Sequence, residues 1–305
     1  MTGYAVRRMF HAILLIKCVL VVVFLLLHIT GDPTAIIAGP DATADDIVRL
    51  RTLMGFDQPL WVQYGKFFLG AVQGDFGKSF EYGESALALV FEHLPASFEL
   101  AISAFVLSVV IGVPLGCLAA FRENSLFDRS FIGTTVFVQA VPDFWLGIMM
   151  ITFFSVHLGI LPSFGRGSWT HFLMPAFAAS TYHLARLGRL MRSQMLETLR
   201  QDFILTARAK GLPETMVVMG HALKNSAIPI VTVMGLDLGI LLGGTVIVET
   251  VFAWPGAGRL VVQAIANRDF PVVQAVVFLL ASVFVLINLA VDLIYAYLDP
   301  RIEYS

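Results

Sequence analysis

Residues 202–229 read DFILTARAKGLPETMVVMGHALKNSAIP, a stretch of mixed polarity set between two strongly apolar runs. Leu196, Leu199, Phe203 and Ala207 recur at helical spacing up to Gly211, a residue that adopts the left-handed conformation ending a helix at little cost. Pro213 then opens a second helix, because its missing amide hydrogen would have no partner in a first turn. Met216, Met219 and Leu223 supply that helix with an apolar stripe of its own, which ends before Pro229. Taken over 192–229, the pattern predicts a compact helical elbow with basic and apolar faces.

The runs on either side are of bilayer length. Hydrophobic residues make up 57% of the 305 and charged residues only 14%, where a soluble domain carries roughly 25% charge. A soluble core could not hide so much apolar surface. An apolar run follows Arg7 and Arg8 and ends near residue 29, and five more cover 97–121, 131–157, 172–190, 230–251 and 272–295. Each is close to the roughly 20 residues that a crossing helix needs. The first has no small-residue cleavage site directly behind it, so it reads as an uncleaved span. Pro142 with Asp143 should kink or interrupt the third. The expected fold is an all-α polytopic membrane bundle of about six transmembrane helices, a single domain over 1–305.

Basic residues near short loops favour the cytoplasm. Arg7, Arg8, Arg122, Arg129, Arg186, Arg189, Arg192, Arg200, Arg208, Lys210, Lys224 and Arg301 fall on one side, against Arg166, Arg259 and Arg268 in the short loops of the other. The elbow and both termini are therefore expected inside. Residues 31–95 form the one longer extracytoplasmic segment, with short amphipathic helices around 45–54 and 60–72. A docking surface, a cap over the bundle and an inert connector are all open readings of it. A net charge of −2 without a basic stripe argues against nucleic acid as a partner. Cys18 and Cys117 both sit in apolar runs and imply no disulfide framework.

Catalytic chemistry finds little support. GDFGKS at 74–79 lacks the first glycine of a phosphate loop, whose place is taken by Val72, and Asp75 would repel a phosphate. The seven histidines (His11, His28, His93, His157, His171, His183, His221) never take the paired helical spacing of a zinc hydrolase. No G-x-S-x-G elbow and no redox cysteine pair is present. Within the spans stand Lys17, Asp237 and Asp292, where an uncompensated charge costs about 2.5–3.5 kcal/mol. Lys17 can snorkel and Asp292 can lie at a boundary, whereas Asp237 reads as a pathway group or a structural ion-pair partner. Gly235, Gly239 and Gly243, with Gly244 adjacent, recur every four residues and let another backbone come close, either in a second subunit or within this chain.

With these residues in view, the elbow resembles the cytoplasmic signature of the permeases of binding-protein-dependent ABC importers. Thr206-Ala207-Arg208, Gly211 and Pro229 stand at the matching positions. The first residue departs from the Glu of the broader signature. Thr206 with Arg208-Ala209-Lys210-Gly211 is instead similar to the dipeptide, oligopeptide, glutathione and nickel branch, and to the first of its two permeases. Gly31-Asp32-Pro33, Gly74-Asp75-Phe76-Gly77, Phe252-Ala253-Trp254-Pro255-Gly256 and Asp299-Pro300-Arg301 extend the likeness over the chain. The resemblance implies a bacterial inner-membrane subunit that moves peptides or related small solutes by alternating access. It implies that Thr206, Ala207, Arg208, Gly211, Leu212 and Pro213 meet a cleft in a separate ATPase. It also implies a second homologous permease, two ATPase subunits that hold ATP and Mg, an extracytoplasmic solute-binding protein, and no cofactor on this chain. Asp237, Gly239, Gly243 and Gly244 would then serve the translocation pathway or helix packing. The competing reading is an ion-gradient-driven secondary transporter using Lys17, Asp237 and Asp292, which leaves the elbow unexplained. An intramembrane enzyme would need a convergent catalytic pair that the sequence does not offer.

Overall fold

The computed structural model describes residues 2–29, 34, 38 and 42–298. Gly31-Asp32-Pro33 and Asp299-Pro300-Arg301 lie outside the described residues, as does the side chain of Asp292. A stretch with no proline, and no glycine beyond Gly3 in its first turn, forms α1 (Thr2–Ile29). The two amphipathic helices expected in the 31–95 segment are α2 (Ala44–Met54) and α3 (Leu60–Gln73). Thr43 and Asp46 close a capping box at the start of α2, and Gly55 and Gly74 end α2 and α3 with φ of 75° and 78°.

Helix α4 (Ala86–Phe121) starts well before the expected residue 97 and runs straight through Pro95, with a π turn at Ser108–Gly112 ahead of Pro114. Proline removes a ladder donor, and the widened turn accommodates the resulting gap. At Val141-Pro142 the next run breaks into α5 (Leu126–Ala140) and α6 (Asp143–His157), bent by 98°. The interruption expected at Pro142 is therefore a corner. There follow α7 (Trp169–Leu199), α8 (Asp202–Ala209) and α9 (214–244), the last containing a π turn at Val217–Ala222. The chain ends in α10 (Val246–Val251), α11 (Ala257–Ala266) and α12 (Phe270–Leu298). Among the described residues no strand forms, and an isolated bridge joins Lys78 to Ser85.

Four helices are long and apolar enough to cross a membrane (Arg7–Leu25, Ala86–Phe121, Pro229–Val251 and Phe270–Val291), and the bent α5–α6 pair is a fifth candidate. The span expected at 172–190 falls inside α7, which is long enough at 31 residues but too polar to pass on composition.

Contacts divide the chain into two compact units. One holds α1–α3, the start of α4, α11 and most of α12. Its aromatic side chains form a series from Phe24 through Phe67 and Phe76 to Phe278, with ring centroids 5.2–6.3 Å apart. Offset and edge packing of this kind adds to simple burial. In the loop after α3, Asp75 accepts a hydrogen bond from the Gly77 amide at 2.9 Å, and the Ser79 hydroxyl donates to the buried Asp269. The GDFGKS string is thus a tie between the 74–85 loop and the approach to α12.

The other unit holds the rest of α4, α5–α10 and the end of α12. Its closest packing is between α4 and α7. A Cβ placed on Gly116 would stand 2.2 Å from the Gly188 carbonyl oxygen, and one on Gly112 would stand 2.7 Å from that of Leu184. Gly112 and Gly116 are four residues apart, the spacing that lets membrane helices touch backbone to backbone.

Candidate functional site

The elbow is built on a helix stop. Gly211 takes φ of 77°, its amide donates to the Arg208 carbonyl at 2.9 Å, and the Leu212 amide reaches back to that of Ala207 at 3.4 Å. These paired bonds satisfy the last carbonyls of α8, and the half-buried Leu212 follows the buried Ala207 in the usual apolar pairing. Pro213 takes the extended conformation, and its carbonyl accepts from Met216 and Val217 at 2.9 and 3.1 Å, starting α9. Across the turn Arg208 grips Glu214 at two points, 3.1 and 2.6 Å, and this hydrogen-bonded guanidinium holds the carboxyl below its ordinary value. Thr206 donates its hydroxyl to the Asp202 carbonyl at 3.0 Å.

Helix α8 is buried only along Ile204 and Ala207. Asp202, Phe203, Leu205, Thr206, Arg208, Lys210 and Gly211 are exposed, with Leu205 at 55%. The expected stripes are therefore corrected in phase. Helix α7 stops at Leu199 and the chain turns through extended Gln201, so Phe203 faces outward where Leu196 and Leu199 predicted a continuous face. The π turn rotates the second stripe, burying Val217, Val218 and Ala222 and exposing Met216 and Met219. Nor does that helix end before Pro229. It continues through it to Gly244, joining the elbow directly to a span. Met219, Val218 and Leu223 face Val113, Cys117 and Phe121 of α4 across an apolar groove of about 350 Å³.

The two long helices beside the elbow run antiparallel and are cross-linked. The Ser226 hydroxyl lies 2.9 Å from that of Thr198 and 3.3 Å from the Gln194 carbonyl. Farther along, Arg186 of α7 donates to Asp237 of α9 at 2.6 Å. Asp237 is fully buried, with His183 Nδ1 3.5 Å from its Oδ1. One turn on, Arg189 bonds Gln139 of α5, and Arg192 bonds both oxygens of the buried Asp128. Asp128 in turn accepts from the Asn124 amide at 3.0 Å, fixing the start of α5.

The structure thus gathers Thr206, Ala207, Arg208, Gly211, Leu212 and Pro213 into one turn. Asp237 lies 23 residues along α9 from Glu214, roughly 35 Å at helical rise, in a separate cluster. Gly239 is buried, while Gly243 and Gly244 are exposed with nothing near a Cβ position. Gly235 packs within the chain, where a Cβ would stand 2.5 Å from Val291 of α12. Lys17 is exposed on α1. The arginines at 186, 189 and 192, read in the sequence only as orientation signals, prove to be the pins between α7, α9 and α5. Their regular three-residue spacing inside an otherwise apolar run was the signal available.

An apolar helical bundle with an exposed elbow between two long helices fits a membrane permease, and the family comparison shows which kind. The chain belongs to the family described as binding-protein-dependent transport system inner membrane component, whose model matches residues 112–304. The companion N-terminal model, binding-protein-dependent transport system membrane component, matches residues 1–101. Among its relatives is the glutathione transport system permease protein GsiC of Escherichia coli (strain K12), 41% identical over the full length of both chains. Another is the dipeptide transport system permease protein DppB of Alkalihalophilus pseudofirmus, 38% identical over the full length of both. In fold, the chain is similar to the inward-facing MetNI methionine ABC transporter, with a TM-score of 0.57 and 20% identity over 69% of this chain and 96% of that one. A crystallised amino acid ABC transporter gives 0.53 and 15% over 70% and 94%. The chain is a multi-pass membrane permease of the ABC importer class, which displaces the secondary-transporter reading.

Proposed function

We propose that this chain is one of two homologous permeases in an importer of dipeptides, glutathione or chemically similar small peptides, the cargo named for its relatives. Two separate ATPase subunits hold ATP and Mg and supply the energy, and an extracytoplasmic binding protein delivers the solute. The chain spans the inner membrane with both termini and the 192–229 elbow in the cytoplasm and the 31–95 segment outside, as a single functional domain. It performs no catalysis and carries no cofactor of its own.

Thr206, Ala207, Arg208, Gly211, Leu212 and Pro213 form the coupling surface. The observation that carries this reading is the exposure of α8, which buries only Ile204 and Ala207 and leaves the rest of its surface for a partner. The Gly211 turn and the Arg208–Glu214 link make the elbow stiff, and the Ser226–Thr198 bond ties both long helices at its base. A stiff elbow joined to two spans converts movement of the ATPase into rocking of the gate. Asp237, fully buried, serves the packing of α7 on α9 by anchoring Arg186. Gly239 serves packing within the bundle, while Gly243 and Gly244, open on their outer side, are assigned to the second permease. The test is Gly211→Val in the reconstituted complex. ATP hydrolysis uncoupled from uptake is expected, and undiminished uptake would overturn the assignment.

A further inference from the structure

We infer that Arg186, with Arg189 beside it, forms a binding site for the carboxylate of the solute as it crosses the membrane, a site that rests on the permease reading above. Helix α7 carries a continuous polar face. Tyr182, Arg186, Arg189, Ser193, Glu197 and Arg200 follow one another at intervals of four, three, four, four and three residues, which places them on one side of a helix. All six are exposed or half-exposed, whereas Leu187, Met191, Met195 and Thr198 on the opposite side are buried. Arg186 lies 12 residues from Thr198, roughly 18 Å along the axis, so with the elbow at the cytoplasmic surface, as proposed above, it falls within a hydrocarbon core about 30 Å thick. An arginine facing lipid there is costly, so a face of this kind meets water or protein. In an importer, the water that must be met at that depth is the solute route.

Three features suit the site to an anion. First, the Arg186 side chain is 36% exposed, although its Nη1 is anchored on fully buried Asp237. The anchor fixes the guanidinium plane, and the rest of its donor fork has no partner among the described residues. A planar fork held this way matches a carboxylate at two points. Second, Arg189, one turn away, bonds only the neutral Gln139, so it sets a second guanidinium beside Arg186 with no carboxylate of its own. Third, Asp237 Oδ2 and His183 Nδ1, both buried beside the guanidinium, lack hydrogen-bond partners among the described residues. Close-packed interiors seldom leave such atoms unpaired; because the Asp237 oxygen can only accept, it is water travelling with the solute, not the solute's carboxylate, that would complete it. Asp237 and His183 are positioning residues in this scheme, and Arg186 is the contact.

The experiment compares uptake of a dipeptide with uptake of the same dipeptide amidated at its C-terminus, in proteoliposomes holding the full complex and one binding protein. The same protein delivers both solutes, so its own preference cancels when the carboxylate-to-amide ratio of a variant is divided by that of the unaltered complex. The ratio is also independent of how much complex is active. Arg186→Gln should lower it about tenfold, the scale of a lost charge-assisted pair. Arg186→Lys, which keeps the charge toward Asp237 but loses the fork, should lower it by less. An unchanged ratio in Arg186→Gln overturns the site and assigns the arginine to contact with another subunit. If Arg186→Gln is inactive, Arg186→Lys decides: a lowered ratio supports the site and an unaltered one overturns it. ATP-dependent uptake absent from the unaltered complex would instead defeat the importer reading itself.

Discussion

At the scale of single residues, two glycines make opposite demands. Gly211 stands in open space, so its requirement is conformational: φ of 77° strains side chains, most of all β-branched ones, by about 1–2 kcal/mol. Asn tolerates that region. Gly211→Asn should therefore retain most uptake per ATP hydrolysed and Gly211→Val should lose most of it, measured in parallel on the reconstituted complex. Gly116 has ordinary helical backbone, and its requirement is room, since the Gly188 carbonyl would lie 2.2 Å from any Cβ. Gly116→Leu must push α4 from α7, an overpacking of about 1–3 kcal/mol or more. It should lower the yield and melting temperature of detergent-solubilised protein, while Gly133→Leu, where a Cβ meets nothing, should not. The first requirement was readable in the sequence, because a glycine before Leu-Pro marks a helix stop. The second was not, because Gly112 and Gly116 acquire meaning only when Gly188, 72 residues later, is brought against them.

At the scale of elements, periodicity located the helices but not their phase. The expected stripe ran through Phe203 to Ala207, and a two-residue break at Arg200-Gln201 buries Ile204 in place of Phe203 while Ala207 stays inward. Likewise a single π turn at Val217–Ala222 moved Met216 and Met219 outward. Such insertions change which residues are buried without altering the helical spacing on either side, so a pattern reading passes over them. The arginines of α7 read in the sequence as orientation charges, yet in the structure they cross-link α7 to α9 and α5. Across the elbow, Arg208 and Glu214 are each about two-fifths exposed. A double-mutant cycle with Arg208→Ala and Glu214→Ala should thus return less than about 1 kcal/mol of coupling in thermal unfolding at neutral pH. The Glu214 carboxyl is held below its ordinary value, so this contribution is present above the usual glutamate range and fades as pH falls through the lowered value. A cycle that returned several kcal/mol, or one that strengthened in acid, would show that the pair is not a solvent-screened link. Its importance lies in holding the turn, and uptake should fall in either single variant by more than stability does.

At the scale of the whole molecule, orientation binds the proposals together, because the elbow meets an ATPase only if it lies inside the cell. The sequence expects twelve basic residues on the elbow's side, against three in the short loops opposite. The proposed orientation puts α2 and α3 outside. Both surfaces can be tagged after Cys18 and Cys117 are replaced by serine or alanine. Asp57→Cys lies in the exposed turn between α2 and α3, and Lys210→Cys on the exposed tip of the elbow. A membrane-impermeant maleimide should label Asp57→Cys in intact spheroplasts and Lys210→Cys only in inverted vesicles. In inverted vesicles that retain the ATPase subunits, labelling at Lys210→Cys should be slow, and it should accelerate severalfold once they are stripped with mild chaotrope. Labelling of Lys210→Cys from the outer face would invert the chain and remove the coupling proposal. Labelling from the inner face at one rate, with or without the ATPase, would leave the topology standing and require the partner to bind elsewhere. The two measurements separate direction from contact, and the force-transmitting role of the Gly211 turn requires both.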